Sequence, residues 1–141
     1  MKKILYIIAS NGYQDIEYEV PKSILKQNSH KIITASSAKI AKGSLGGQTE
    51  ADLLINEVNP ENYDALIFAG GPGSREYFNN ETAIKIAKEF YSKGKIICAI
   101  CAGPGILANA GILNGKKATC FEGISHILEE KGALYTKNPT E

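Results

Sequence analysis

Short runs of nearly continuous apolar residues alternate along this chain with longer amphipathic stretches, and that alternation leaves few folds open. Lys3–Ala9 (KILYIIA), Lys31–Ala35 (KIITA), Ala65–Ala69 (ALIFA) and Lys95–Ile100 (KIICAI) are short and rich in β-branched residues, the pattern of strands buried on both faces. Between them, Asp15–Gln27, Glu81–Ser92 and Pro104–Ala110 read as helices. In the first, Ile16, Val20, Ile24 and Leu25 fall near helical spacing, and Pro21 is expected to bend the helix or remove one hydrogen bond. In the second, Ile84, Ala87 and Phe90 share a side, and Gly94 closes it. Ile40–Leu54, broken by Gly43, Gly46 and Gly47, reads as a short hairpin or a wandering connection. Lys117–Phe121 is expected to form a fifth strand, Ile124–Lys131 a helix and Ala133–Thr136 a final strand. The expected architecture is α/β, a mostly parallel sheet with helices on both faces.

At 141 residues the chain is sized for one domain. Its apolar content of 43% suffices for a real core. Sixteen basic residues against 15 acidic ones, with Arg75 the single arginine, leave no basic stripe for a phosphate backbone. Nucleic acid is therefore not an expected partner. No apolar run reaches the roughly 20 residues of a membrane span, and the start offers neither a long apolar signal region nor a small-residue cleavage site. Three cysteines are too few for a disulfide framework. A reducing cytoplasm with free thiols is the expectation.

In a parallel sheet, ligands bind at the carboxyl ends of strands. Three segments should converge there: Ala9–Asp15, Ala69–Ser74 and Ile100–Pro104. The last has the layout of a nucleophile elbow, a sharp strand-to-helix turn that lifts one side chain off the sheet. Ala99 and Gly103 are small where the turn has no room for bulk, and Pro104 suits an early helical position. Cys101 would occupy the elbow, where a helix N-terminus favours a thiolate. A small, inert, packed cysteine fits the same spacing. Gly70-Gly71-Pro72-Gly73 follows a strand and is either a plain turn or a set of amides for an oxyanion. Asp15, Glu17 and Glu19 either complement a helix dipole or, through Glu17, aim into the crevice.

Other residues carry weaker signals. Cys98 and Cys101 form C-x-x-C, but no second ligand pair exists to hold zinc, and no metal site is expected. Cys120 either packs in a strand or resolves an oxidised Cys101. Tyr13 and Tyr18 either line a pocket or pack. His30 and His126 read as loop and surface residues, and Lys85, Lys88 and Lys93 as a solvated helix face.

Taken together, Gln14-Asp15-Ile16-Glu17-Tyr18-Glu19-Val20-Pro21, Gly70-Gly71 and Ala99-Ile100-Cys101-Ala102-Gly103-Pro104 resemble the DJ-one/ThiJ/PfpI superfamily. The resemblance covers the chain from Lys2 to about Thr136 and is closest to the branch of the Parkinson-disease protein and ThiJ. It implies a flavodoxin-like three-layer α/β sandwich that usually dimerises. It further implies a reactive cysteine at Cys101, hydrogen-bonded to a protonated glutamic acid at Glu17, with oxyanion amides in the Gly70-Gly71 turn, chiefly Gly71, and at Ala102. Tyr13, Arg75, Phe121 and Cys120 are the expected pocket residues. Family members usually continue with another strand and a closing helix, so the chain is expected to be a single domain, residues 1–141, lacking that segment.

The resemblance implies cofactor-free chemistry on a small aldehyde such as methylglyoxal. The cysteine adds to the aldehyde and the glutamic acid shuttles a proton, as in a glyoxalase or deglycase. Alternatives are a redox sensor or stress chaperone acting through oxidation of Cys101, and a PfpI-type cysteine peptidase. The chain departs from the family at its histidines. The peptidase branch has one directly after the nucleophile, where Ala102 stands, and the Parkinson-protein branch has one near Phe121. The peptidase branch also borrows a glutamate from a neighbouring subunit, where this chain has Arg75 beside Glu76. Both departures weaken the peptidase reading.

Overall fold

A computed structural model describes residues 1–141. In chain order the elements are β1 (Lys3–Ile7), β2 (Asn11–Tyr13), α1 (Asp15–Gln27), β3 (Lys31–Ser36), β4 (Ile40–Gly43), β5 (Gln48–Glu50) and β6 (Leu53–Leu54). They continue with β7 (Ala65–Phe68), α2 (Glu81–Ser92), β8 (Ile96–Ala99), α3 (Pro104–Asn109), β9 (Lys117–Ala118), α4 (Ser125–Glu130) and β10 (Leu134–Tyr135). The main sheet has the order β6-β3-β1-β7-β8, and every pair in it is parallel. β1 sits at its centre, with Leu5, Tyr6 and Ile7 buried, because a continuous apolar run is stable only where both faces are covered. α1 packs on β3, and α2 packs on β7, β8 and α3.

Two helices begin and end where the sequence places them, and the caps explain why. The Gln14 side chain accepts from the Ile16 amide at 2.8 Å, and the Asn80 side chain accepts from Ala83 at 2.9 Å. Ile40–Leu54 contains a hairpin, β4 antiparallel to β5, to which β2 adds as a third strand. The Asp15 carboxylate holds this small sheet to the start of α1, accepting from the amides of Leu45 at 2.8 Å and Gly47 at 2.7 Å.

Three expectations need correction. The apolar positions Ile16, Val20 and Ile24 of α1 face outward, each more than half exposed, and Tyr18 is the residue that enters the core. β8 is an edge strand with only β7 beside it, and on it Ile96 is 64% exposed and Cys98 is exposed as well. The segments expected as fifth and final strands shrink to β9 and β10, which pair with each other and not with the main sheet.

Pro21 removes one hydrogen bond without ending α1. The amide it lacks would have bonded the Glu17 carbonyl, four residues back. The hydroxyl of Tyr6, at the centre of β1, donates to that carbonyl instead.

Candidate active site

The three segments expected to meet at the strand ends do meet. The Gln14 amide bonds the Gly70 carbonyl at 3.0 Å, and the Ile100 amide bonds the Phe68 carbonyl at 3.1 Å. Past Ile100 the chain turns through Cys101, which has φ +57°, a left-handed conformation that costs a residue with a Cβ about 1–2 kcal/mol. The Gly103 amide closes the turn on the Ile100 carbonyl at 2.8 Å, and α3 follows at once. Bulk is excluded beside it: a Cβ on Gly103 would lie 2.9 Å from the Phe68 carbonyl oxygen.

Glu17, in the first turn of α1, is brought to the same place. Its Oε2 accepts from the Gly70 amide at 2.9 Å. A Cβ on Gly70 would lie 2.4 Å from that oxygen and 2.8 Å from the Cβ of Cys101, so Glu17, Gly70 and Cys101 occupy one tight cluster. Burial pushes the Glu17 carboxyl above the usual carboxylate range, against the lowering pull of Cys101 and the Gly70 amide. Burial also pushes the Cys101 thiol up, with the charge of Glu17 adding to it. The Ala102 and Gly71 amides act on the sulfur in the opposite direction.

Two expectations change here. The thiol is not acidified by its helix start, because burial and Glu17 outweigh the two amides. The Gly70 amide is spent on Glu17, which leaves Gly71 and Ala102 as the amides at the sulfur.

A cleft of about 710 Å³ opens at the elbow, lined by Cys101, Leu107, Lys117, Cys120, Phe121 and Glu122 among others. Cys101 is the residue shared by this cleft and the Glu17 cluster. The Phe121 amide donates to the Cys101 carbonyl at 2.7 Å, holding the Cys120-Phe121 segment against the elbow. Tyr13 and Arg75 do not line the cleft. Tyr13 is a core residue, its ring edge-on to Tyr18 and its hydroxyl paired with Thr49. Arg75 is exposed, and its neighbour Glu76 accepts bonds from Ser10 and Ser37 of the same chain. His30 and His126, the chain's two histidines, do not line the cleft either. His30 accepts from the Lys2 amide.

Tyr6 is the positioning residue that sequence reasoning missed. A tyrosine inside an otherwise aliphatic buried run is a signal, since its hydroxyl must find a partner. That partner is the backbone of Glu17.

A parallel α/β sheet with a left-handed cysteine on a strand-to-helix elbow, beside a half-buried carboxyl, defines a flavodoxin-like protein with a nucleophile-elbow site. The DJ-1/PfpI family model matches residues 2–140, and the chain belongs to that family. An uncharacterized protein of Methanocaldococcus jannaschii is 40% identical over 137 residues, 94% of this chain and 67% of that one. Deglycase PfpI of Pyrococcus furiosus is 39% identical over 123 residues, 86% of this chain and 74% of that one. The crystal structure of a ThiJ/PfpI domain protein from Brachyspira murdochii has a TM-score of 0.93 at 32% identity, covering 96% of this chain and 79% of that one.

Proposed function

We propose that this protein is a cofactor-free deglycase or glyoxalase acting on α-oxoaldehydes or their adducts, with Cys101 as nucleophile and Glu17 as proton shuttle. The observation that carries the reading is the Glu17 carboxyl, raised by burial and fixed on the Gly70 amide beside Cys101. The name of the P. furiosus relative, a deglycase, supports it.

The chemistry follows from the arrangement. Glu17 takes the thiol proton as sulfur attacks the aldehyde carbon, and the developing oxyanion lies toward the Gly71 and Ala102 amides. Glu17 then returns the proton to that oxygen, completing a hemithioacetal. As a carboxylate it next removes the hydrogen on the same carbon and delivers it to the neighbouring carbonyl carbon through an enediol, while the hydroxyl proton of the first carbon moves to the oxygen of the second. The product is a thioester of a 2-hydroxy acid. Water cleaves it and restores the thiol. A thiol that ionises only when its neighbour accepts the proton suits this sequence, because one proton serves both groups in turn. No imidazole is required.

The protein is proposed to act as a homodimer and to reside in the cytoplasm. The exposed stripe of Ile16, Val20 and Ile24 on α1 supports a second copy packing there. No helix is long and apolar enough to cross a membrane.

The decisive experiment is lactate release from methylglyoxal without glutathione. Wild type is expected to turn over many times and Cys101→Ala not at all. Glu17→Gln is expected to lose roughly 10²–10⁴-fold in rate, with covalent adduct formation at Cys101 slowed as well. A folded wild type that forms no lactate and removes no aldehyde adduct from a glycated peptide overturns the reading, and leaves the redox sensor or chaperone through Cys101 in its place.

A further inference from the structure

The aldehyde chemistry leaves two thiols of the cleft, Cys98 and Cys120, without a task. Cys120 is half-buried, lines the same cleft as Cys101, and is unbridged. The residue after it donates its amide to the Cys101 carbonyl at 2.7 Å. Standard bond lengths and angles on either side of that contact put the two Cα atoms at most about 7.5 Å apart, overlapping the roughly 4.4–6.8 Å that disulfides span. Cys98, the other thiol lining the cleft, lies on β8 before the elbow and has no such backbone tie to it.

We infer that Cys120 is the resolving thiol for an oxidised Cys101, and that the two form an intramolecular disulfide when the protein meets a hydroperoxide. Glu17 takes the Cys101 proton as the sulfur attacks the peroxide oxygen, the O–O bond breaks and sulfenic acid forms, and that proton passes to the departing oxygen, which leaves as alcohol or water. The Cys120 sulfur then attacks the sulfenic sulfur. The S–O bond breaks, and the departing hydroxyl takes the Cys120 proton to leave as water. Cys101 has lost two electrons and the peroxide has gained them. An external dithiol reverses the step, returning both thiols.

The environment of Cys120 fits that role. Burial, with Cys101 and Glu129 adding to it, pushes its thiol up to about 11. Such a thiol reacts sluggishly with oxidants in solution. It gains its advantage only when an electrophilic sulfur is held next to it, where proximity replaces concentration. The bridge uses the Cys101 sulfur that would attack a carbonyl, so it suspends the aldehyde chemistry. It also intercepts the sulfenic acid before a second peroxide drives it to the irreversible sulfinic acid.

The test is peptide mass spectrometry of the full chain after hydrogen peroxide, under non-reducing conditions. Wild type is expected to show a Cys101–Cys120 crosslinked peptide that dithiothreitol removes, and little sulfinic acid. Cys120→Ser and Cys120→Ala, both checked for a wild-type melting curve, are expected to show sulfinic Cys101 at the same dose. Cys98→Ser is expected to keep the crosslink. Sulfinic Cys101 forming equally in wild type and the Cys120 variants overturns the proposal, as does a bridge to Cys98 or between chains. Because mass is the readout, the result is independent of whether methylglyoxal is turned over.

Discussion

The Tyr6 hydroxyl donates to the backbone carbonyl of Glu17, the acceptor that Pro21 leaves empty in α1. A buried tyrosine on the central strand thereby fixes the helical residue whose carboxyl faces the thiol. Tyr6→Phe strands that carbonyl and is expected to cost about 1–3 kcal/mol, measured by urea denaturation. In a Pro21→Ala background the helix supplies its own donor, so the same Tyr6→Phe change is expected to cost clearly less. Equal costs in the two backgrounds would separate Tyr6 from the proline.

Gly70 is wedged between Glu17 and Cys101. Adding a Cβ there brings it to 2.6 Å from the Ile100 carbonyl and 2.4 Å from the Glu17 carboxyl. Gly70→Ala is expected to destabilise by about 1–3 kcal/mol. Its larger effect should be on kcat for methylglyoxal, with KM changing less, since Glu17 and Cys101 are forced apart. A variant with normal kcat would show that their spacing is not rate-determining.

Asp15 provides a pH test. The Leu45 and Gly47 amides hold its carboxyl below the ordinary 3.8. A depressed folded value means the stabilisation is present above pH 3.8 and is lost as pH falls through the lower folded value. Asp15→Asn is therefore expected to melt below wild type near neutrality, and the gap should close as acid protonates Asp15 in the wild type. A gap that persists unchanged well below pH 3.8 would contradict a charge-based tie.

The outward stripe of α1 predicts how the chain associates. Val20→Lys places a charge between Ile16 and Ile24 without touching the core. Sedimentation is expected to show dimeric wild type and monomeric variant with unchanged far-UV circular dichroism. A wild type that sediments as a monomer removes the stripe as an interface.

Much of this was legible from residue order alone. α1 and α2 fall where spacing and caps place them. The elbow was legible because few residues fit two places from its cysteine. What could not be read was orientation. Ile16, Val20 and Ile24 have the spacing of a core stripe, and periodicity cannot say whether a stripe faces its own sheet or the outside. Hydrogen-bond partners far along the chain were equally hidden. Glu17 and Gly70 are joined across 53 residues, and no local pattern says which amide a carboxyl will take. The KIICAI run carries no mark of being an edge, since apolar content is the same whether one neighbour strand is present or two.

The left-handed backbone of Cys101 has an implication for engineering. Glycine occupies that conformation without the Cβ penalty, so Cys101→Gly should relieve strain at the moment it abolishes chemistry. A library of this protein sorted for heat resistance alone would then enrich its own inactive members. Selection for durability has to be coupled to a functional screen, or it will erode the residue for which the turn is built.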